Sequence, residues 1–155
     1  MQKILITGGA GFIGSHCTRA LLERNEFVVC LDNFNEFYDP QIKRKNIQEF
    51  VNNSNYQCVV GDIRDSQLVD KLFNENKFDA VIHLAAMAGV RPSIENPLLY
   101  EDVNVKGFQV ILETMRKYDV KKLLAASSSS VYGNNIKVPF SETDNVDFAI
   151  SPYAA

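Results

Sequence analysis

Cysteine is scarce in this sequence and poorly placed for metal. The three residues, Cys17, Cys30 and Cys58, are odd in number and lack the paired spacings that hold zinc. Cys30 and Cys58 fall in short apolar runs, where a thiol behaves as a small hydrophobe. The first residues show no secretory pattern, so reduced thiols in a cytoplasmic protein are expected. Long apolar runs are missing as well. No stretch reaches the roughly 18 apolar residues of a membrane span, which sets the expectation of no membrane partner. Nor is basic charge in excess. Sixteen Lys and Arg face nineteen Asp and Glu, a net charge of −3, so nothing marks nucleic acid as a partner. The densest basic cluster, Lys43-Arg44-Lys45, reads as a solvated helix face.

What remains is a chain of 155 residues, 46% of them hydrophobic, enough for one domain with a core. Short runs rich in β-branched residues recur between longer helix-like segments. Strands are predicted over 3–7, 27–31, 56–60, 80–84 and 122–127. Helices are predicted to about residue 24 after a glycine-rich turn, then over 40–51, 66–76 and 97–117, with Pro40 suited to a first turn. Strands alternating with helices at this spacing imply parallel βαβ units, hence an α/β doubly wound sheet in three αβα layers. Ligands of such sheets bind beyond the carboxyl ends of the strands.

Residues 7–14 read Thr-Gly-Gly-Ala-Gly-Phe-Ile-Gly, and lie between a strand and a helix. Gly9, Gly11 and Gly14 fit one dinucleotide-binding register, Gly8, Gly11 and Gly14 a wider one. Glycines permit the tight turn and a close backbone approach to pyrophosphate, whose charge then faces the free N–H groups of the new helix. Asp32 ends the second strand, 21 residues after Gly11. A carboxylate there accepts from adenosine ribose hydroxyls and repels a 2′-phosphate, and no Arg or Lys follows within several residues. NAD is therefore expected over NADP. Asp62, after the third strand, suits an adenine contact or, alternatively, the start of the next helix.

Thr7-Gly8-x-x-Gly11-x-x-Gly14, Asp32-Asn33, Asp62-Ile63, Leu84-Ala85-Ala86 and the Ser127–Gly133 stretch together resemble the extended short-chain dehydrogenase/reductase family, along the whole chain. The resemblance implies a Rossmann fold holding NAD. It implies cofactor contacts at Gly8, Gly11, Phe12, Ile13, Gly14, Asp32, Asn33, Asn35, Asp62, Ile63, Leu84, Ala85, Ala86 and Ala88. The family's catalytic tyrosine falls on Tyr153 and its hydroxyl on Ser128, with Ser129, Ser130 and Arg91 left as substrate contacts. Asn104 resembles a residue that brackets the family's active site, and His83 reads as a core histidine.

The segment from Gly89 to Pro97 and the loop Asp32-Asn33-Phe34-Asn35 look like the branch of UDP-glucuronate 4-epimerases, although Met87 and Pro92 stand where that branch has Gln and Tyr. Serines fill positions 128–130, where a 4,6-dehydratase would carry an Asp-Glu pair. The implied activity is 4-epimerisation of a nucleotide-diphosphate sugar, a UDP-sugar such as UDP-glucuronate, by transient oxidation at C4 in a homodimer. A dehydratase or reductase of the same family is the alternative. A non-catalytic NAD sensor or partner-binding module is another, against which the presence of both Ser128 and Tyr153 argues. The family's lysine would be residue 157, so these 155 residues are expected to form a cofactor domain without its substrate domain, inactive alone.

Overall fold

A computed structural model describes all 155 residues. The chain runs β1 (Lys3–Thr7), α1 (Phe12–Glu23), β2 (Phe27–Asp32), α2 (Pro40–Ile47), β3 (Tyr56–Val60), α3 (Ser66–Asn76) and β4 (Ala80–His83). There follow α4 (Val90–Glu95), α5 (Pro97–Tyr100), a π-helical segment Glu101–Gly107, α6 (Phe108–Lys117) and β5 (Leu123–Ala125). All strands pair in parallel in the order β3-β2-β1-β4-β5. This is the doubly wound Rossmann arrangement, and its order reverses between β1 and β4.

Period-two alternation assigns the two faces. Leu5 is in register with Val29 and Val81, and the three side chains meet Leu72, Phe73, Ile111 and Met115 of α3 and α6. Ile4, Ile6, Val28 and Cys30 point the other way, onto Ile47, Phe50 and the inner side of α1. Both faces are thus covered, and the central strands read as near-continuous apolar runs for that reason. Side chains also set the helix starts. Asp39 accepts from Gln41 N ahead of Pro40, and Asp65 accepts from Gln67 N and Leu68 N to cap α3.

The structure departs from the sequence reading in four places. The region taken as loop before residue 96 contains α4, which tolerates Pro92 because a first-turn N–H lacks an intrahelical partner anyway. The single helix over 97–117 is interrupted by the π-helical turns, and α2 tightens into a 3₁₀ turn at 48–50 instead of continuing to 51. The fifth strand is only three residues long, an edge strand paired with β4 alone.

Candidate functional site

A cavity of about 390 Å³ opens at the carboxyl ends of the strands. Its walls include Gly8, Gly11, Phe12, Ile13 and Gly14 from the first turn, and Asp32, Asn33 and Asn35 after β2. Asp62 and Ile63 follow from β3, and Leu84, Ala85, Ala86 and Ala88 from β4. Residues as far apart in the chain as Gly8 and Ala88 are brought together because each follows a parallel strand at the same end. Gly8 is the wedge of the arrangement. Its φ of +68° belongs to glycine, and a Cβ there would lie 2.8 Å from Ala85 N. No side chain caps α1, whose first intrahelical acceptor serves Ser15 N. The N–H groups of Phe12, Ile13 and Gly14 therefore face the cavity end with no partner in their own helix.

Asp32 is buried, and its carboxylate accepts from Ala10 N at 3.1 Å and Phe34 N at 2.9 Å. Two backbone donors leave about half of its four acceptor positions for a ligand. One expectation fails here. Lys43 does not belong to a solvated face, being only 6% exposed, and although no Arg or Lys closely follows Asp32 in the sequence, Lys43 Nζ lies 3.8 Å from Asp32 Oδ1. The reason is helical geometry. Three consecutive residues sweep most of a turn, so one of Lys43, Arg44 and Lys45 must face inward, and Lys43 does so one turn before the buried Ile47. Its ammonium donates to Asn35 Oδ1 at 3.0 Å and lies 5.0 Å from the centre of the Tyr38 ring.

Asp62 is not a helix cap; Asp65 takes that role. Arg64 Nε and Nη2 donate to its two oxygens at 2.9 and 2.8 Å, and Asn33 Nδ2 donates at 2.9 Å. The Arg64 hydrogen bonds, opposed by partial burial, hold this carboxyl well below the usual carboxylate range. Arg64 also donates to Asp102 at 2.6 Å, tying the loop after β3 to the π-helical turns.

The loop after β4 is anchored twice. Thr7 Oγ1 accepts from Leu84 N and Ala85 N, each at 3.3 Å, and lies 2.8 Å from Nδ1 of the buried His83. Asn104 grips Met87 from the other side, accepting from its N–H at 2.7 Å and donating to its carbonyl at 2.9 Å. The π-helical segment carries Asn104, and such turns commonly occur at functional sites. Asn104→Leu would leave both Met87 groups without these bonds. The partly buried site should lose about 2 kcal/mol, from roughly 1 to 3 kcal/mol per orphaned group with water recovering part. Urea denaturation of the variant measures this.

The remaining candidates lie outside the cavity. Ser128 Oγ accepts from Ser130 N at 3.2 Å, capping the turn at 129–132, and donates to Ser130 Oγ. Ser129 is exposed, and the nearest cavity residue along the chain is Ala126. Arg91, expected in a loop facing the pocket, is instead exposed on α4. Tyr153 is half-buried, edge-on to Tyr100 with ring centres 6.2 Å apart. Tyr100 in turn donates to Ala88 O at 2.5 Å, so Tyr153 borders the cavity loop through one intermediate ring. Lys43 and Tyr100 were not legible as site residues. Only the inward side of α2 and the apolar side of the helix over 97–117 pointed to them.

The sequence model of the GDP-mannose 4,6 dehydratase family matches residues 5–155. The chain belongs to this family. Family relatives include UDP-glucuronate 4-epimerase 3 of Arabidopsis thaliana, 48% identical over 154 residues, which cover 99% of this chain and 36% of the relative. Protein CapI of Staphylococcus aureus is 42% identical, with 99% and 46% covered. Among solved structures, a UDP-Glc/GlcNAc 4-epimerase from Campylobacter jejuni superposes with a TM-score of 0.90 at 33% identity, covering 99% of this chain and 45% of its own. The UDP-glucose 4-epimerase from Bifidobacterium longum, solved with NAD+ and UDP, gives 0.88 at 34% identity, with 98% and 44% covered. The chain thus spans less than half the length of these family members. The extended short-chain dehydrogenase/reductase resemblance and the Rossmann fold agree with all four.

Proposed function

We propose that the chain binds NAD and serves as the cofactor-binding part of a nucleotide-sugar 4-epimerase acting on a UDP-sugar such as UDP-glucuronate. The carrying observation is the union, in one cavity, of the uncapped α1 terminus with the buried carboxylate of Asp32. These residues fit a dinucleotide. Unpartnered N–H groups suit a pyrophosphate, and the open acceptor positions of Asp32 suit ribose hydroxyls. A Cβ on Gly11 would meet no neighbour nearer than Gly8 O at 3.2 Å, so the cavity side of that glycine is free for a ligand.

The chemistry NAD supplies when bound is reversible acceptance of hydride from the sugar C4. The chain's own part is proton handling and placement. Tyr153 takes the proton of the 4-hydroxyl and Ser128 donates to the same oxygen. A free tyrosine titrates near 10, about three units too high for a base at neutral pH, so that base needs a neighbouring cation to hold it ionised. Serines at 128–130 offer no carboxylate pair for dehydration, which favours epimerisation. Leu98, Val105 and Leu112 are exposed apolar side chains along the 97–117 segment, which favours homodimer assembly. No helix is long and apolar enough to cross a membrane, and the three free thiols suit a cytoplasmic setting.

Two measurements test the proposal. Calorimetric titration should give one NAD+ site per chain, and no binding would overturn the cofactor reading. This chain should also substitute for the matching segment of the Arabidopsis epimerase, with conversion of UDP-glucuronate to UDP-galacturonate followed by chromatography. In that hybrid Tyr153→Phe should lower kcat by about 100-fold or more. An undiminished rate would remove Tyr153 from the mechanism.

A further inference from the structure

We infer that Lys43 sets the choice between NAD and NADP: it is a cation built into the ribose end of the cavity and held in check by Asp32. The inference rests on the proposed NAD reading. Both side chains are nearly buried, 7% and 5% exposed, and both line the cavity. Their 3.8 Å separation is an ion pair rather than a hydrogen bond, which leaves their polar atoms free for a third group. Lys43 has three N–H donors, and its one hydrogen bond within the chain goes to Asn35 Oδ1. Asp32 has two backbone donors and spare lone pairs. A ribose 2′-hydroxyl satisfies both sides, accepting from Lys43 and donating to Asp32.

A 2′-phosphate is acceptor-only and carries roughly −1.5 to −2 charges. It matches Lys43 and collides electrostatically with Asp32. Discrimination is therefore the difference between two opposed terms inside a poorly screened site, not the work of the carboxylate alone. Withdrawing the carboxylate would leave a buried ammonium without its partner, a state that an incoming phosphate relieves. A purely structural Lys43, bracing the Asn35 loop and covering the Tyr38 ring, would affect both coenzymes equally.

The test titrates NAD+, NADP+ and adenosine 2′,5′-bisphosphate into the 155-residue chain and its Asp32→Asn, Lys43→Met and doubly substituted forms, with melting curves to confirm folding. Asp32→Asn keeps a side-chain acceptor and should tighten NADP+ and the bisphosphate by at least about tenfold. Adding Lys43→Met should erase most of that gain. Lys43→Met alone should widen the preference for NAD+. If Lys43→Met does not fold, Lys43→Arg in the Asp32→Asn background should retain the gain. Lys43→Ala in that background should lose it. The inference is overturned if the NADP+ gain is the same with and without the lysine, or if Lys43→Met weakens both coenzymes by one factor. Failure of the unsubstituted chain to bind NAD+ defeats the cofactor reading itself, and that titration reads it separately.

Discussion

Gly14→Ala should lower the stability of the chain by about 3 kcal/mol or more, whereas Gly11→Val should keep most of its stability and fail to bind NAD+. The two glycines lie three residues apart in one turn, yet a side chain at each would enter different surroundings. A Cβ at Gly14 would lie 2.4 Å from Gly8 O and 2.6 Å from Gly9 Cα. Both are backbone atoms of a turn wedged between β2 and the loop after β4, so neither can yield without dragging the sheet. Overpacking of this kind costs about 3 kcal/mol or more, a large part of the roughly 5–15 kcal/mol that holds a domain together. A Cβ at Gly11 meets only Gly8 O at 3.2 Å and Tyr38 Oη at 3.8 Å, from an extended backbone with φ −69° and ψ 174° that valine adopts readily. Its branched side chain would instead fill the place offered to pyrophosphate. Circular dichroism should show Gly11→Val melting within about 2–4 °C of the unsubstituted chain, the shift from roughly 1 kcal/mol in a domain of this size. Calorimetry should show NAD+ affinity down at least 100-fold, about 2.7 kcal/mol. A folded Gly11→Val variant with unchanged affinity would refute the phosphate-turn assignment.

This contrast marks what the sequence could convey. Thr7–Gly14 announces a turn between strand and helix, and its spacing to Asp32 and Asp62 follows from the regular length of βαβ units. All the proposed cofactor contacts consequently line one cavity. Strands β1 and β3 and helix α3 fall where alternation and capping residues place them, because local pattern and tertiary burial agree there. The sequence fails where the two disagree. α4 hides behind Pro92, which looks like a breaker but occupies a first turn. Lys43 looks solvated because charge normally is, and only the rotation of α2 about its axis turns it inward toward Asp32. The π-helical turns have no pattern of their own; they are visible only through Asn104, which aims both ends of its amide at the Met87 backbone.

Acid should destabilise this chain from about pH 6.5 downward, and His83 should be the cause. The ring is 7% exposed, lies against Phe108 with centres 4.6 Å apart, and has Thr7 Oγ1 at 2.8 Å from Nδ1. Burial pulls its pKa from the ordinary value near 6.5 down to about 4. The hydroxyl adds a geometric reason. Thr7 Oγ1 already accepts from Leu84 N and Ala85 N, so its single hydrogen is directed at Nδ1, which must then stay unprotonated. Between pH about 6.5 and 4 the unfolded chain binds a proton that the folded chain refuses, so stability falls as pH falls through that window. A difference of two to three units corresponds to about 3 kcal/mol, fully present above the upper limit and gone below the lower. The carboxyls of Asp62, Asp70, Asp102 and Asp144 are all lowered by their cationic partners, so their contributions are lost at still lower pH. Urea denaturation from pH 7.5 to 4 should give a slope approaching 1.4 kcal/mol per unit in the unsubstituted chain. His83→Asn, whose Oδ1 can accept from Thr7 in place of Nδ1, should remove that slope. A charged His83 would force the Thr7 hydroxyl to reverse and release Ala85 N, while Leu84 N keeps its bond to the Thr7 carbonyl at 3.0 Å. NAD+ affinity should therefore weaken in the same window in the unsubstituted chain and stay level in His83→Asn. Parallel pH profiles for the two proteins would show that the acid response arises elsewhere and that the Thr7–His83 contact does not hold the loop.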